Sequence, residues 1–148
     1  MDFNNFISPI TGNQLFLREG FLLSASKERY EIINNIPRFT STDNFGSAFG
    51  LQWNTYSQVQ LDSKNNTTIS EERVQTAIGK PLSSIKGLKI LEAGSGAGRF
   101  TEVLIKYGAI VYSFDISEAV EANFINNSKS QDLTIFQADI EKLSLIHI

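Results

Sequence analysis

Three acidic residues, Glu92, Asp115 and Asp139, each follow a short apolar run, and the first stands just ahead of a loop with glycine at every second position: Gly94, Gly96 and Gly98. Glycine at 94 and 96 lets the backbone turn sharply and admits a ligand close to the main chain, while Gly98 is expected to let the following helix pack tightly on the strand. The first turn of that helix leaves unpaired N–H groups facing the loop. Together these features describe a nucleotide site. A carboxylate at the end of the second strand, Asp115, offers two acceptor oxygens that match the two vicinal hydroxyls of a ribose.

The elements that must position these residues are legible on either side. Leu88 to Leu91 reads as a strand ending in Glu92. After the loop, Phe100, Val103, Leu104 and Tyr107 fall at i, i+3, i+4 and i+7, one apolar stripe of a helix that Gly108 ends. Ala109 to Phe114 is a nearly continuous apolar run, as in a strand buried on both faces of a parallel sheet. Ser117 can cap a helix to about Asn127, with Glu118 and Glu121 near its positive end and Val120 and Phe124 on its inner side. Leu133 to Ala138 is a third strand, followed by Asp139 and Ile140. Strands alternating with helices predict a parallel α/β sheet.

A dinucleotide fingerprint would place its third glycine at 99, where the chain has Arg99. The sequence Glu92-Ala93-Gly94-Ser95-Gly96-Ala97-Gly98-Arg99-Phe100 instead resembles motif I of the class I S-adenosylmethionine-dependent methyltransferases. That resemblance covers about residues 45 to 142 and implies a Rossmann-like doubly wound sheet, incomplete here with three strands present. It implies S-adenosyl-L-methionine as cofactor, bound along the carboxyl ends of the strands. Gly94, Ser95, Gly96 and Gly98, with Ala93, would lie at the methionine and ribose side, and Glu92 would orient the loop. Asp115 would hold the ribose, Ile116 would lie beside the adenine, Asp139 would accept from its amino group, and Ile140 would pack on the ring. The resemblance names no general base. Two rival readings stay open: a non-catalytic nucleotide-binding module, and a fragment of an NAD-type Rossmann enzyme.

Residues 1–44 read as a small, mostly β domain, with apolar segments Leu15 to Leu17, Phe21 to Leu23 and Tyr30 to Ile33 separated by Gly12, Gly20 and an Asn34-Asn35 turn, and Pro37 closing the last. Its end, Tyr30 to Phe39, resembles the small zinc-ribbon-like domain of tRNA-methyltransferase activator proteins and of some methyltransferases. Where such domains begin Cys-Pro-x-Cys-Gly, this chain has Ser8-Pro9-Ile10-Thr11-Gly12, and hydroxyls do not replace thiolates as zinc ligands at neutral pH. No metal is expected, and the region should pack by its apolar residues.

Residues 45–87 form a connecting segment with helices. Phe49, Trp53 and Tyr56 could share one side of a helix; the whole phrase from Phe49 to Asp62 resembles the segment before motif I in a group of bacterial methyltransferases. There it would cover the cofactor and shape the acceptor pocket, or else join the small domain to the large one. Ser70 to Ile78 is a predicted helix with Ser70 as its cap, Glu71 and Glu72 in its first turn, Val74, Ala77 and Ile78 on its apolar side, and Gly79 and Pro81 as its stop.

The chain of 148 residues has no cysteine, hence no disulfide framework and no thiolate zinc site, and its net charge of -3 argues against a broad nucleic-acid-binding face. The acceptor is accordingly expected to be a small molecule, a lipid or a sugar rather than nucleic acid. No apolar run approaches the length of a membrane span, and the first residues lack the pattern of a secretory signal, so the cytoplasm is the expected location. The class I sheet has seven strands, and residues 88–142 would supply the first half, a fragment expected to be inactive alone. The last six residues, Leu143-Ser-Leu-Ile-His-Ile148, equal an in-frame translation of a transposon end used in sequencing libraries. Residues 143–148 are therefore expected to be a non-native tail, and His147 is given no catalytic role.

Overall fold

Strands β1 (Leu15–Arg18), β2 (Phe21–Ser24), β3 (Arg29–Ile33) and β4 (Ile36–Pro37) pair antiparallel in that order, in a computed structural model that describes residues 5–40 and 56–142. Two of the reversals are two-residue turns whose central residues both have positive φ: Glu19 and Gly20 between β1 and β2, and Asn34 and Asn35 between β3 and β4. That geometry matches the right-handed twist of the strands it joins. Pro37 does not close the region. It lies in β4 opposite Ile32, and the chain continues onto the second sheet: Arg38 bridges Gln137 in parallel, and the Phe39 N–H donates to the Gln137 carbonyl at 2.8 Å.

The second half runs α1 (Asp62–Asn65), α2 (Ile69–Ile78), a 3-10 turn at Leu82–Ile85, β5 (Lys89–Ala93), α3 (Arg99–Lys106), β6 (Ile110–Asp115), α4 (Ala119–Asn127), β7 (Leu133–Gln137) and a 3-10 turn at Ile140–Lys142. The sheet order is β5-β6-β7, all parallel, with Leu91 opposite Tyr112 and Tyr112 opposite Thr134. This is a Rossmann-like arrangement with a β region ahead of it. β5 starts and ends later than expected, so Glu92 lies within the strand and Ala93 ends it.

The alternation of β6 explains how the two halves meet. Val111 faces the helices and packs with Val103, Leu104, Val120 and Ile135, whereas Tyr112 and Phe114 face the other way and pack with Phe136, Phe6, Leu15 and Leu22. A doubly wound sheet has helices on both faces. Here, among the described residues, α2, α3 and α4 share one face and the antiparallel strands cover the other. Phe136 stacks on Phe114 with ring centroids 5.2 Å apart and receives Phe6 edge-on at 5.2 Å. Each such ring buried from water contributes roughly 1.5–3 kcal/mol, which explains why a region read as separate sits on the sheet.

The expected cap of α2 needs correction. Ser70 is not the cap of α2. The carboxylate of Asp62, from α1, receives the N–H groups of Ser70 (2.9 and 3.1 Å) and Glu71 (3.0 Å), and Ser70 is buried with its hydroxyl turned to Arg99. The Ser8–Gly12 turn is held by hydrogen bonds: the Ser8 hydroxyl accepts from the N–H groups of Ile10 and Thr11 at 3.2 Å, and Thr11 Oγ1 donates to Glu28 at 2.9 Å. Among the described residues no cluster of His, Cys, Asp and Glu could hold a metal ion, so the likeness to a zinc ribbon gains no structural support. Of the aromatic segment before Leu61, Phe49 and Trp53 lie outside the described residues, as do residues 143–148. Tyr56 begins a run of turns at 56–60 and is exposed.

Candidate functional site

The glycine loop leaves β5 and is tied at once to the end of β6. Gly94 N and Ser95 N both donate to the Phe114 carbonyl, at 2.9 and 3.0 Å, and Gly96 N donates to Asp115 Oδ2 at 2.9 Å. Gly94 and Gly96 have φ of 75° and 52°, a region that side chains disfavour. A Cβ on Gly94 would meet no atom within 4 Å, so its glycine answers to backbone conformation and the space beside it is open. Gly98 is different. Its neighbours are Asn123 and Asn127 of α4, with which a Cβ would collide, so the close approach is to that helix rather than to the strand as expected.

Asp115 joins loop to turn. Its Oδ1 accepts from Ser117 N at 2.9 Å and from the Ser117 hydroxyl at 2.8 Å, and the same hydroxyl accepts from Ala119 N at 3.2 Å at the start of α4. The carboxylate is only half-buried, and with each oxygen offering two lone pairs it keeps acceptor capacity for a ligand.

A cavity of about 150 Å³ opens beside this loop and collects Gly94, Ser95, Gly96 and Asp115 of the expected residues. Glu92, Ala93, Gly98, Ile116, Asp139 and Ile140 do not line it. Ile116 and Ile140 stand 38% and 57% exposed after β6 and β7, which leaves apolar surface at the two strand ends. Asp139 is engaged with its own turn, accepting from Glu141 N at 3.0 Å and lying 3.8 Å from Lys142 Nζ. Of the remaining walls, Ser57, Gln60 and Leu61 lie in the segment before α1 that was expected to cover the cofactor, though none was singled out, while Ala97, Arg99 and Phe100 at the start of α3 were not expected to line it. Only Arg99 left a signal, as the cation in place of a third glycine. Among the described residues that line it, Asp115 and Arg99 are the charged ones.

Glu92 lies beneath the loop. Its Oε2 accepts from the hydroxyls of Thr101 and Ser113, the latter at 2.7 Å, and both hydroxyls in turn accept from Asn123 Nδ2 at 3.0 Å. Asn127 Nδ2 completes the chain, donating to Asn123 Oδ1 at 2.9 Å and to the Gly98 carbonyl at 3.0 Å. Thus β5, α3, β6 and α4 converge on one carboxyl under the loop. Burial pushes that carboxyl above its ordinary range, partly opposed by the Thr101 and Ser113 hydrogen bonds, and Glu92 Oε1 has no hydrogen-bond partner among the described residues.

Residues 91–147 match the family model described as a methyltransferase domain. The chain is also similar to the ubiquinone biosynthesis O-methyltransferases of Coxiella burnetii strains RSA 493 / Nine Mile phase I and Dugway 5J108-111, at 33% identity over 72 residues in each case. These alignments cover 43% of this chain and 31% of each relative, so the chain spans about a third of the length of the curated proteins it matches. The family match leaves the antiparallel N-terminal strands unassigned.

Proposed function

We propose that this chain carries the cofactor-binding part of an S-adenosylmethionine-dependent methyltransferase. The observation that carries the proposal is the grip of Asp115 on Gly96 at the mouth of the loop, within the stretch that matches a methyltransferase domain. The residues present fit the cofactor's chemistry. The open space beside Gly94 admits a ligand close to the backbone, the lone pair left on Asp115 Oδ2 can accept from a ribose hydroxyl, and Ile116 and Ile140 offer apolar surface for a purine. When bound, the cofactor's sulfonium would supply an activated methyl group. The task of this chain is then alignment and exclusion of water: Asp115 fixes the loop and the sugar together, Glu92 and its hydroxyl partners hold the loop from below, and Asp139 serves the adenine edge. The acceptor is a small molecule, lipid or sugar rather than nucleic acid, and an oxygen acceptor suits the naming of the relatives.

The test is differential stabilisation of the 148-residue chain by S-adenosylhomocysteine and by NAD. At about 100 times its Kd a ligand adds roughly 2.7 kcal/mol, a rise in Tm of about 5–10 °C for a chain of this size. The expected result is a shift with S-adenosylhomocysteine, none with NAD, and loss of the shift in Asp115→Ala. A shift with NAD alone would sink the proposal.

A further inference from the structure

Two side chains from different helices, Arg99 and Asn126, hold the same short segment beside the cavity. Arg99, the first residue of α3, donates through Nη1 to Gln60 Oε1 at 3.1 Å, and through Nε and Nη2 to the buried Ser70 hydroxyl at 3.2 and 3.1 Å. Asn126, from α4, donates through Nδ2 to the Ser57 carbonyl at 2.8 Å and to the Ala97 carbonyl of the loop at 2.9 Å. Segment 57–61 is therefore fastened at both ends to the elements that carry the glycine loop. Its own residues Ser57, Gln60 and Leu61 line the cavity opposite Asp115. Within the segment the side chains of Ser57 and Gln60 are not deeply buried; besides this pair of ties and the buried Leu61, Asn65 Nδ2 donates to the Val59 and Leu61 carbonyls at 2.8 and 2.9 Å and the Ser70 hydroxyl to the Gln60 carbonyl at 3.4 Å, and Arg99 is the tie that reaches it from α3.

We propose that Arg99 is a positioning residue, the movable half of a clasp that holds segment 57–61 across the cavity and so sets how fast a bound cofactor leaves. A planar guanidinium with five donors can serve Gln60 and Ser70 at once, which a lysine ammonium at the same place does not reproduce with fixed geometry. The Arg99–Gln60 bond lies at the surface and can open, whereas the Arg99–Ser70 bond is inside and keeps the guanidinium in place. Asn126 is the fixed half.

The inference rests on the cofactor reading above, and its test separates the two. Dissociation of S-adenosylhomocysteine is timed from the 148-residue chain, from Arg99→Ala, and from Gln60→Ala and Gln60→Glu. Arg99→Ala and Gln60→Ala should release ligand about tenfold faster, the equivalent of one charge-assisted hydrogen bond. Gln60→Glu, which sets a carboxylate against the guanidinium, should release it more slowly, an effect that a merely structural role does not produce. Dissociation at the wild-type rate in both alanine variants overturns the clasp while leaving the cofactor reading standing. A wild-type chain that binds no S-adenosylhomocysteine overturns the cofactor reading instead. In that event amide exchange without ligand decides the clasp: faster exchange in Arg99→Ala confined to residues 57–62 supports it, and unchanged or globally faster exchange overturns it.

Discussion

At the scale of the residue, Glu92 is a carboxyl held where its charge is costly. A carboxyl buried under the loop with one oxygen unpartnered among the described residues holds its proton to higher pH in the folded chain than in the unfolded one. The folded state then binds more protons wherever the pH lies between the unfolded value, near the ordinary 4.5, and the raised folded value. Stability from this group is therefore present at low pH and declines as the pH climbs through that window. Glu92→Gln removes the titration and keeps an acceptor for Thr101 and Ser113. Its unfolding midpoint in urea should fall less than the wild type's between about pH 5 and about pH 8. Equal slopes for the two proteins would show that Glu92 ionises without cost where it sits. Asp62 behaves in the opposite sense. Burial pushes it up, yet the N–H groups of Glu71 and Ser70 outweigh that and hold it below its ordinary 3.8, so its contribution is present above that pH and disappears as the pH falls below it.

At the scale of the element, the starts of α2 and α3 are held by different means, and each can be broken separately. Asp62→Ala strips α2 of its cap and should cost about 1 kcal/mol, read as a drop in unfolding free energy with little change in the rest of the far-ultraviolet spectrum. Gly98→Ala should cost on the order of 3 kcal/mol, because it forces a side chain into a φ of 86° and drives it against Asn123 and Asn127. Adding Asn127→Ala to Gly98→Ala should recover part of that loss, whereas two independent losses would point away from a steric cause. The strands and helices were legible in the sequence because periodicity records burial. Val103 and Leu104 could be assigned to the core, and Tyr112 and Phe114 to a strand buried on both faces, from spacing alone. The cap was not legible: Ser70 stood at the right place, but Asp62, eight residues earlier, reaches it only because α1 folds back. Nor were Asn123, Asn126 and Asn127, since an asparagine in a helix reads as surface until the element it faces is known. Arg99 was visible as a departure from the dinucleotide pattern, and its partners Gln60 and Ser70 were not, because tertiary contact alone unites them.

At the scale of the whole molecule, the two sheets are fastened by a polar rivet at the rim of their aromatic core. Arg38, itself nearly buried, pairs with Glu121 of α4 and donates to Gln137 Oε1 at 3.1 Å, while Asn34 Nδ2 donates to the other oxygen of Glu121 at 3.3 Å. Arg38→Met keeps the stem and removes the charge, leaving Glu121 without its cation. A loss of about 1.5–3 kcal/mol is expected. Limited proteolysis should then release residues 5–40 before the parallel sheet is cut, and a variant digested with the wild-type pattern would show that the aromatic packing alone suffices. The same junction has a temporal side. Arg38 and Gln137 lie 99 positions apart. At synthesis rates of roughly 5–20 residues per second, the opening strands leave the ribosome about 5–20 s before the strand they dock against exists. During that interval Phe6 and Phe39 have no Phe136 to meet, and the earlier segment must wait, greasy side outward, for the later one.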